Sequence, residues 1–301
     1  MKNLNILVPV DFSDLSYQAF KAAEILAEYF DGTITPFHAY IPITDIDGSY
    51  YMGLGVATQT ATQDLEPILE DRLQEVAREY INEKFLKPSK LGVGNPAHAI
   101  VEESGEYDLI VMSTHGRTGF SRMLMGSTAE KVLRLSHKPV LIIEQGSHLM
   151  PLEKILLTTD LSKNSEAAFP YARQISEASG ARIELIHIVS YDDFDDLISA
   201  QDAAALRNDR LQKLVEKHFN DLSDRCRSEV ILSSESPHEA IHNLCRSRNY
   251  NLVIMSTIGR TGLKYLTMGS TTANVVRMVN TAVLSINPSM DQPEQIEHLG
   301  E

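Results

Sequence analysis

Cysteine is scarce in this 301-residue chain: Cys226 and Cys245 are the only two, both in the second half. Two isolated thiols exclude a disulfide framework of the secreted kind. No metal-ligand pattern surrounds them, so both are expected to be reduced and structural. Positive charge is also short, with 27 Lys and Arg against 41 Asp and Glu and a formal net charge of -14. A field of that sign repels nucleic acid and anionic membrane surfaces as general partners. It leaves room for a nucleotide, because a local nest of backbone N–H groups holds phosphate inside an acidic protein. Long apolar runs are missing too. None approaches the ~18 residues of a membrane span. The first, Ile6–Val10, is too short for a signal peptide and ends at Asp11. A cytoplasmic location is expected. What is present is ordinary for a folded protein: 16 Gly, 12 Pro, 23% charged and 43% apolar residues. The length suits two domains of about 150 residues, each able to build a core.

The chain repeats itself. Ile6-Leu7-Val8-Pro9-Val10-Asp11-Phe12-Ser13 matches Ile155-Leu156-Leu157-Thr158-Thr159-Asp160-Leu161-Ser162, and the segment from Asp108 to Gly126 matches that from Asn251 to Gly269. Met125-Gly126-Ser127-Thr128 recurs as Met268-Gly269-Ser270-Thr271, and Pro139–Ile143 corresponds to Ala282–Ile286. The offset is 149 at Asp11/Asp160 and at His38/His187, but 143 at Gly116/Gly259. The first copy is therefore longer between those points, and Pro42–Thr62 reads as an extended loop. The domains are expected at 1–147 and 152–287, followed by a polar tail over 288–301.

Each copy alternates strand and helix patterns. In the first, strands are expected at Ile6–Val10, Thr33–Tyr40, Lys90–Gly94, Asp108–Ser113 and Pro139–Ile143. Helices are expected from about Leu15 to Tyr29, capped by Ser13 or Asp14, and at Thr62–Phe85, Pro96–Glu106 and Gly126–Ser136. Second-copy strands fall at Lys154–Thr158, Arg182–Ile188, Glu229–Ser233, Asn251–Met255 and Val283–Ile286. Apolar strands alternating with helices imply α/β domains: two tandem doubly wound, five-stranded parallel sheets of Rossmann-like type. Ligands in such sheets lie beyond the carboxyl ends of the strands, at the switch point.

The sharpest feature is Ser113-x2-Gly116-x9-Gly126-Ser127, recurring as Ser256, Gly259, Gly269 and Ser270. It follows a strand and opens a helix. Small residues there let backbone approach a ligand, and the helix start with the Ser127 hydroxyl suits a phosphate. The plainer alternative makes Gly116 a turn residue and Ser127 a simple N-cap. Asp11 and Asp160 could likewise only cap the following turn. Arg117 and Arg260 either meet phosphate or lie on a solvated loop. His38 and His187 are expected to be core histidines bonded to backbone rather than catalytic, and His98 and His238 have no convincing partner. Asp192, Asp193, Asp195 and Asp196 lack calcium-loop spacing and read as a solvated loop. Met123, Met125 and Met268 read as gap fillers.

Together these marks resemble the universal stress protein family in its tandem form, over about residues 3–145 and 152–287. A first strand ending in Asp and the Gly/Ser-x2-Gly-x9-Gly-Ser/Thr segment carry the resemblance. It implies an adenine nucleotide alpha hydrolase-like fold that binds ATP or a related adenine nucleotide, with or without Mg. Carried over, Asp11 and Ala39 would meet the adenosine. Met112, Ser113, Gly116, Arg117, Gly126, Ser127 and Thr128 would line ribose and phosphates. The second set is Asp160 and Ile188, then Met255, Ser256, Gly259, Arg260, Gly269, Ser270 and Thr271. The family's first Gly is Ser in both copies. His115 is replaced by Ile258, and the adenosine ends differ at Pro9/Thr158 and Ala39/Ile188 while the glycine frames match. Family members usually pair domains through the last strand. The resemblance thus implies an internal pseudo-dimer, with a further homodimer and a regulatory protein partner left open.

Three functions compete. The leading one is a regulatory nucleotide binder in the stress response, without fast turnover, since the repeat supplies no nucleophile–base pair. The second is a slow ATPase or adenylating enzyme. Against it, the chain lacks a Ser-Gly-Gly-x-Asp-Ser loop after the first strand, and His-x-Gly-His and Lys-Met-Ser-Lys-Ser. No Gly-Lys-Ser/Thr follows the glycines, so there is no Walker A loop either. The third is an interaction protein that has lost nucleotide binding.

Overall fold

The computed structural model describes residues 1–41, 65–114, 125–147, 149–191, 194, 197–259 and 269–288. The chain forms two compact units, Met1–Ile143 and Glu144–Glu301.

The first unit holds strands β1 (Asn5–Pro9), β2 (Thr33–Tyr40), β3 (Lys90–Val93), β4 (Leu109–Ser113) and β5 (Val140–Ile143). Its described helices are α1 (Asp14–Phe30), α2 (Leu65–Tyr80), α3 (Pro96–Glu103) and α4 (Ser127–Leu135). The strands lie in the order β3-β2-β1-β4-β5 and pair in parallel. Ile6, Leu7 and Val8 are all fully buried although successive side chains point to opposite faces, so helices cover both sides of the sheet. α1 packs with α2, and α3 with α4. Ala19, Ala22, Ala23, Leu26 and Ala27 form the buried face of α1, and small residues there let helix and sheet approach closely.

The second unit repeats the plan. Its strands are β6 (Lys154–Thr158), β7 (Arg182–Ser190), β8 (Cys226–Ser233), β9 (Leu252–Ser256) and β10 (Ala282–Ile286), all parallel in the order β8-β7-β6-β9-β10. Its helices are α5 (Phe169–Ser179), α6 (Leu197–Phe219), α7 (Pro237–Arg248) and α8 (Ser270–Met278). The expected α/β class and doubly wound sheets are thus present in both units.

Boundaries shift where local chemistry intervenes. α2 stops at Tyr80 rather than Phe85, because the Asn82 side chain accepts from the Lys84 N–H and turns the chain. α3 tightens into a 3₁₀ turn over Ser104–Glu106. β3 ends at Val93, one residue short of the expected Gly94, whose φ of 102° leaves the strand region. β8 starts three residues earlier than expected, at Cys226, in register with Ile183. The start of the expected Thr62–Phe85 helix, the Pro42–Thr62 loop and most of the tail lie outside the described residues. Among the described residues no helix is long and apolar enough to cross a membrane.

Candidate functional site

In the first unit β1 is flanked by β2 on one side and β4 on the other, and the chain winds outward in both directions from that pair. Helices therefore diverge at the carboxyl ends of β1 and β4, opening a crevice there. β1 delivers Asp11 to it and β4 delivers Ser113. In the second unit β6 and β9 make the same switch point and deliver Asp160 and Ser256. Residues more than 90 positions apart in sequence are thus brought together twice.

The two aspartates are built into the same turn. Asp11 Oδ1 accepts from the Ser13 N–H at 3.1 Å, and Asp160 Oδ1 accepts from the Ser162 N–H at 2.9 Å. Ser13 Oγ–H also donates to Asp11 Oδ1 at 2.6 Å. The cap of α1 is Ser13, whose side chain accepts from the Ser16 N–H at 3.2 Å. Each aspartate therefore fastens the turn with one oxygen. The residue after each aspartate, Phe12 or Leu161, is left-handed, with φ of 63° and 64°. For a bulky side chain that conformation costs about 1–2 kcal/mol, and strain of this kind collects at sites where side-chain aim matters.

The described residues of the glycine segment lie just beyond β4 and β9. The N–H of Gly126 donates to the Thr114 carbonyl at 2.8 Å, and that of Gly269 to the Thr257 carbonyl at 2.7 Å. Gly126 and Gly269 are the N-caps of α4 and α8, and neither offers a side chain to the first-turn N–H groups. Ser127 is the first helical residue, not the N-cap that the plainer alternative required, because the cap falls one residue earlier. Ser127 and Ser270 are exposed. A helix start whose N-cap glycine has no side chain to fill it, with positive dipole end and hydroxyl together, suits an anion. The glycines are needed for space. A Cβ on Gly269 would lie 3.0 Å from the Thr257 carbonyl oxygen, and one on Gly259 would lie 2.6 Å from Asp160 Oδ2. Gly259 thus lets the loop after β9 press its backbone against the carboxylate delivered by β6.

The remaining predicted residues divide. Ala39 and Ile188 sit near the ends of β2 and β7, Ala39 buried and Ile188 half-buried. Met112, Met255 and Met125 bury their side chains in the core. Thr128 and Thr271 lie half-buried in the first turns of α4 and α8. Ser256 Oγ–H donates to the Ile258 carbonyl at 3.0 Å and steadies the start of the loop. His38 and His187 are buried, with Nδ1 2.8 Å from the Val10 and Thr159 carbonyl oxygens. They tie the second strand of each sheet to the aspartate turn. Gly116, Arg117, Arg260, His115, Met123, Met268 and the four aspartates from 192 to 196 lie outside the described residues.

Sequence reasoning missed several site residues. Phe12 and Leu161 gave no sign, since neither Gly nor Asn marks their left-handed backbone. Thr159, Ser165 and Thr272 also contribute. Thr159 Oγ1 accepts from the Leu161 N–H at 3.0 Å and lies 2.7 Å from Ser165 Oγ, and Thr272 Oγ1–H donates to the Ser256 carbonyl at 2.9 Å. The Asp-x-Ser spacing repeated in both copies was the available signal for this turn.

The model of the universal stress protein family matches residues 2–144 and again 151–287. The chain belongs to that family. Among its relatives, a universal stress protein of Methanocaldococcus jannaschii is 33% identical over 150 residues, covering 46% of this chain and 81% of the relative. One from Mycolicibacterium smegmatis is 24% identical across 94% of this chain and 97% of its own length. A crystal structure of a universal stress protein from Archaeoglobus fulgidus superposes with a TM-score of 0.68 at 22% identity, covering 96% of this chain and all of that one. The second match spans both units, so the tandem arrangement is shared by other family members.

Proposed function

We propose that this chain is a regulatory stress-response protein that binds ATP or a related adenine nucleotide, with or without Mg, and does not turn it over fast. Each domain, 1–147 and 152–287, carries one site. The observation that carries the reading is the meeting of Asp160 with the Gly259 backbone beside the start of α8, whose N-cap Gly269 offers no side chain. A carboxylate acceptor suits the hydroxyls of a ribose or the amino group of a base, and the helix start suits phosphates. A nucleoside phosphate needs both at one crevice. Asp11, Ala39, Ser113, Gly126, Ser127 and Thr128 take the matching roles in the first domain, and Asp160, Ile188, Ser256, Gly259, Gly269, Ser270 and Thr271 in the second.

Mass spectrometry of small molecules released from the purified protein tests this directly. An adenine nucleotide should be released, and ATP titration should give saturable binding that weakens when Gly126 or Gly269 is replaced by valine. No released nucleotide together with no binding by titration would sink the reading. Steady phosphate release that those variants abolish would favour a slow ATPase instead.

A further inference from the structure

We propose that the second unit carries the tighter of the two nucleotide sites, because buried hydroxyl groups fix its walls before a ligand arrives. This rests on the nucleotide reading above. The left-handed residue Leu161 donates its N–H to Thr159 Oγ1 at 3.0 Å. Thr159 and Ser165 bring their hydroxyls to 2.7 Å, and Ser165 Oγ–H donates to the Ser162 carbonyl at 2.7 Å. Ser165 has one hydroxyl proton and spends it on that carbonyl, so Thr159 must be the donor to Ser165. The relay therefore runs one way, from the Leu161 N–H through two hydroxyls to the Ser162 carbonyl. Thr159 is 7% exposed and Ser165 4%, so water does not compete for it. Asp160 stands between the first two members of the relay.

The first unit cannot build this relay. Val10 stands where Thr159 stands and has no side-chain oxygen to offer. Ser16 Oγ–H still reaches the Ser13 carbonyl at 2.8 Å, but the relay stops there. Phe12 is held by packing instead, with its ring centroid 4.5 Å from that of His38 and its side chain against Tyr40, Leu65 and Leu69. The opposite wall differs in the same sense. Thr272 bonds the Ser256 carbonyl at the end of β9, whereas the matching residue of α4 is Ala129. Arg210 of α6 adds a contact to the Leu161 carbonyl at 3.4 Å. Both walls of the second crevice are thus tied by groups whose residue types the first unit lacks at Val10 and Ala129. A site ordered beforehand loses less conformational freedom on binding.

The test uses the full chain and ATP as the probe. Asp11→Ala isolates the second site and Asp160→Ala the first. The second site should bind at least about fivefold more tightly, roughly the worth of one net hydrogen bond. Adding Thr159→Val and Thr272→Ala, which copy the first unit, should remove that advantage. Equal affinities, a tighter first site, or no effect of the double change would overturn the proposal while leaving the nucleotide reading intact. Binding at neither site would overturn both. Amide hydrogen exchange on the ligand-free chain gives a readout independent of nucleotide. The Leu161 N–H should exchange at least about fivefold more slowly than the Phe12 N–H, and Thr159→Val should erase the difference. Equal rates in the unaltered chain would overturn the relay.

Discussion

Replacing Gly259 by alanine would put a methyl carbon 2.6 Å from Asp160 Oδ2. Reaching an ordinary contact distance requires a separation larger by roughly 0.8 Å. The carboxylate is the part that can move, but its other oxygen is held by the Ser162 N–H at 2.9 Å. Rotating Asp160 away stretches that bond. A hydrogen bond to a charged group contributes about 1.5–3 kcal/mol, and the half-buried setting of Asp160 places this one near the lower end, about 1.5 kcal/mol. At about 2–4 °C per kcal/mol for a unit of this size, the second unit should melt about 3–6 °C lower. Binding should suffer more than stability, because the displaced carboxylate no longer faces the crevice. A tenfold loss of affinity in that unit corresponds to about 1.4 kcal/mol. Calorimetric melting with and without ATP separates the two effects. Ligand at 100 times its Kd adds about 2.7 kcal/mol to the unaltered protein, and the second-unit transition of Gly259→Ala should lose most of that gain. Gly105→Ala is the control, since a Cβ there meets nothing within 4 Å. If Gly259→Ala keeps both the melting temperature and the ATP shift of the unaltered chain, the contact between Asp160 and the β9 loop has no part in binding.

Other consequences concern the second unit's framework. Glu184 is 5% exposed in β7. Burial pushes its carboxyl up, but hydrogen bonds from Tyr250, Arg227 and Arg248 outweigh that and hold it below the usual value of 4.5. A lowered folded value means stabilisation that is complete above the unfolded value and is lost as pH falls through the folded one. Urea melts should therefore show the second unit weakening on the acid side of about pH 4.5, and Glu184→Gln should cost about 2–3 kcal/mol at pH 7 while flattening that limb. An unchanged acid limb in Glu184→Gln would refute the assignment. Burial pushes the Cys226 thiol up to about 12 and the Cys245 thiol up to about 11. Neither should react with a thiol reagent in the folded protein at pH 8, and both should react in denaturant.

Much of this protein was legible before its structure. The apolar run Ile6–Val8 and its counterpart Ile155–Leu157 identify strands buried on both faces, because no half-exposed strand tolerates three consecutive apolar residues so cheaply. The glycines spaced between a strand and a helix in both copies were legible, since they leave a residue-type signature, whereas the turn that each Asp-x-Ser closes was not read from the sequence. Glu184 was not legible. A charge inside Arg182–Ser190 reads as the solvent face of a strand, and hydrogen bonds from Arg227, Arg248 and Tyr250, 43, 64 and 66 residues away, make its burial tolerable. The expected helix Gly126–Ser136 opened one residue early: Gly126 is the N-cap of α4, and the bond from its N–H to the Thr114 carbonyl sets where the helix starts.

By itself the sequence determined the repeat and the parallel α/β class. These follow from periodicity and from residue types that few conformations accept. Tertiary structure alone decided what the exchange of Val10 for Thr159 does. Val10 in place of Thr159 looks like a neutral exchange at a buried strand end. It becomes a missing hydroxyl only when Ser165 and the left-handed Leu161 are folded against that position. The cost of an unmade bond depends on which groups are buried beside it, and that is a property of the packed chain.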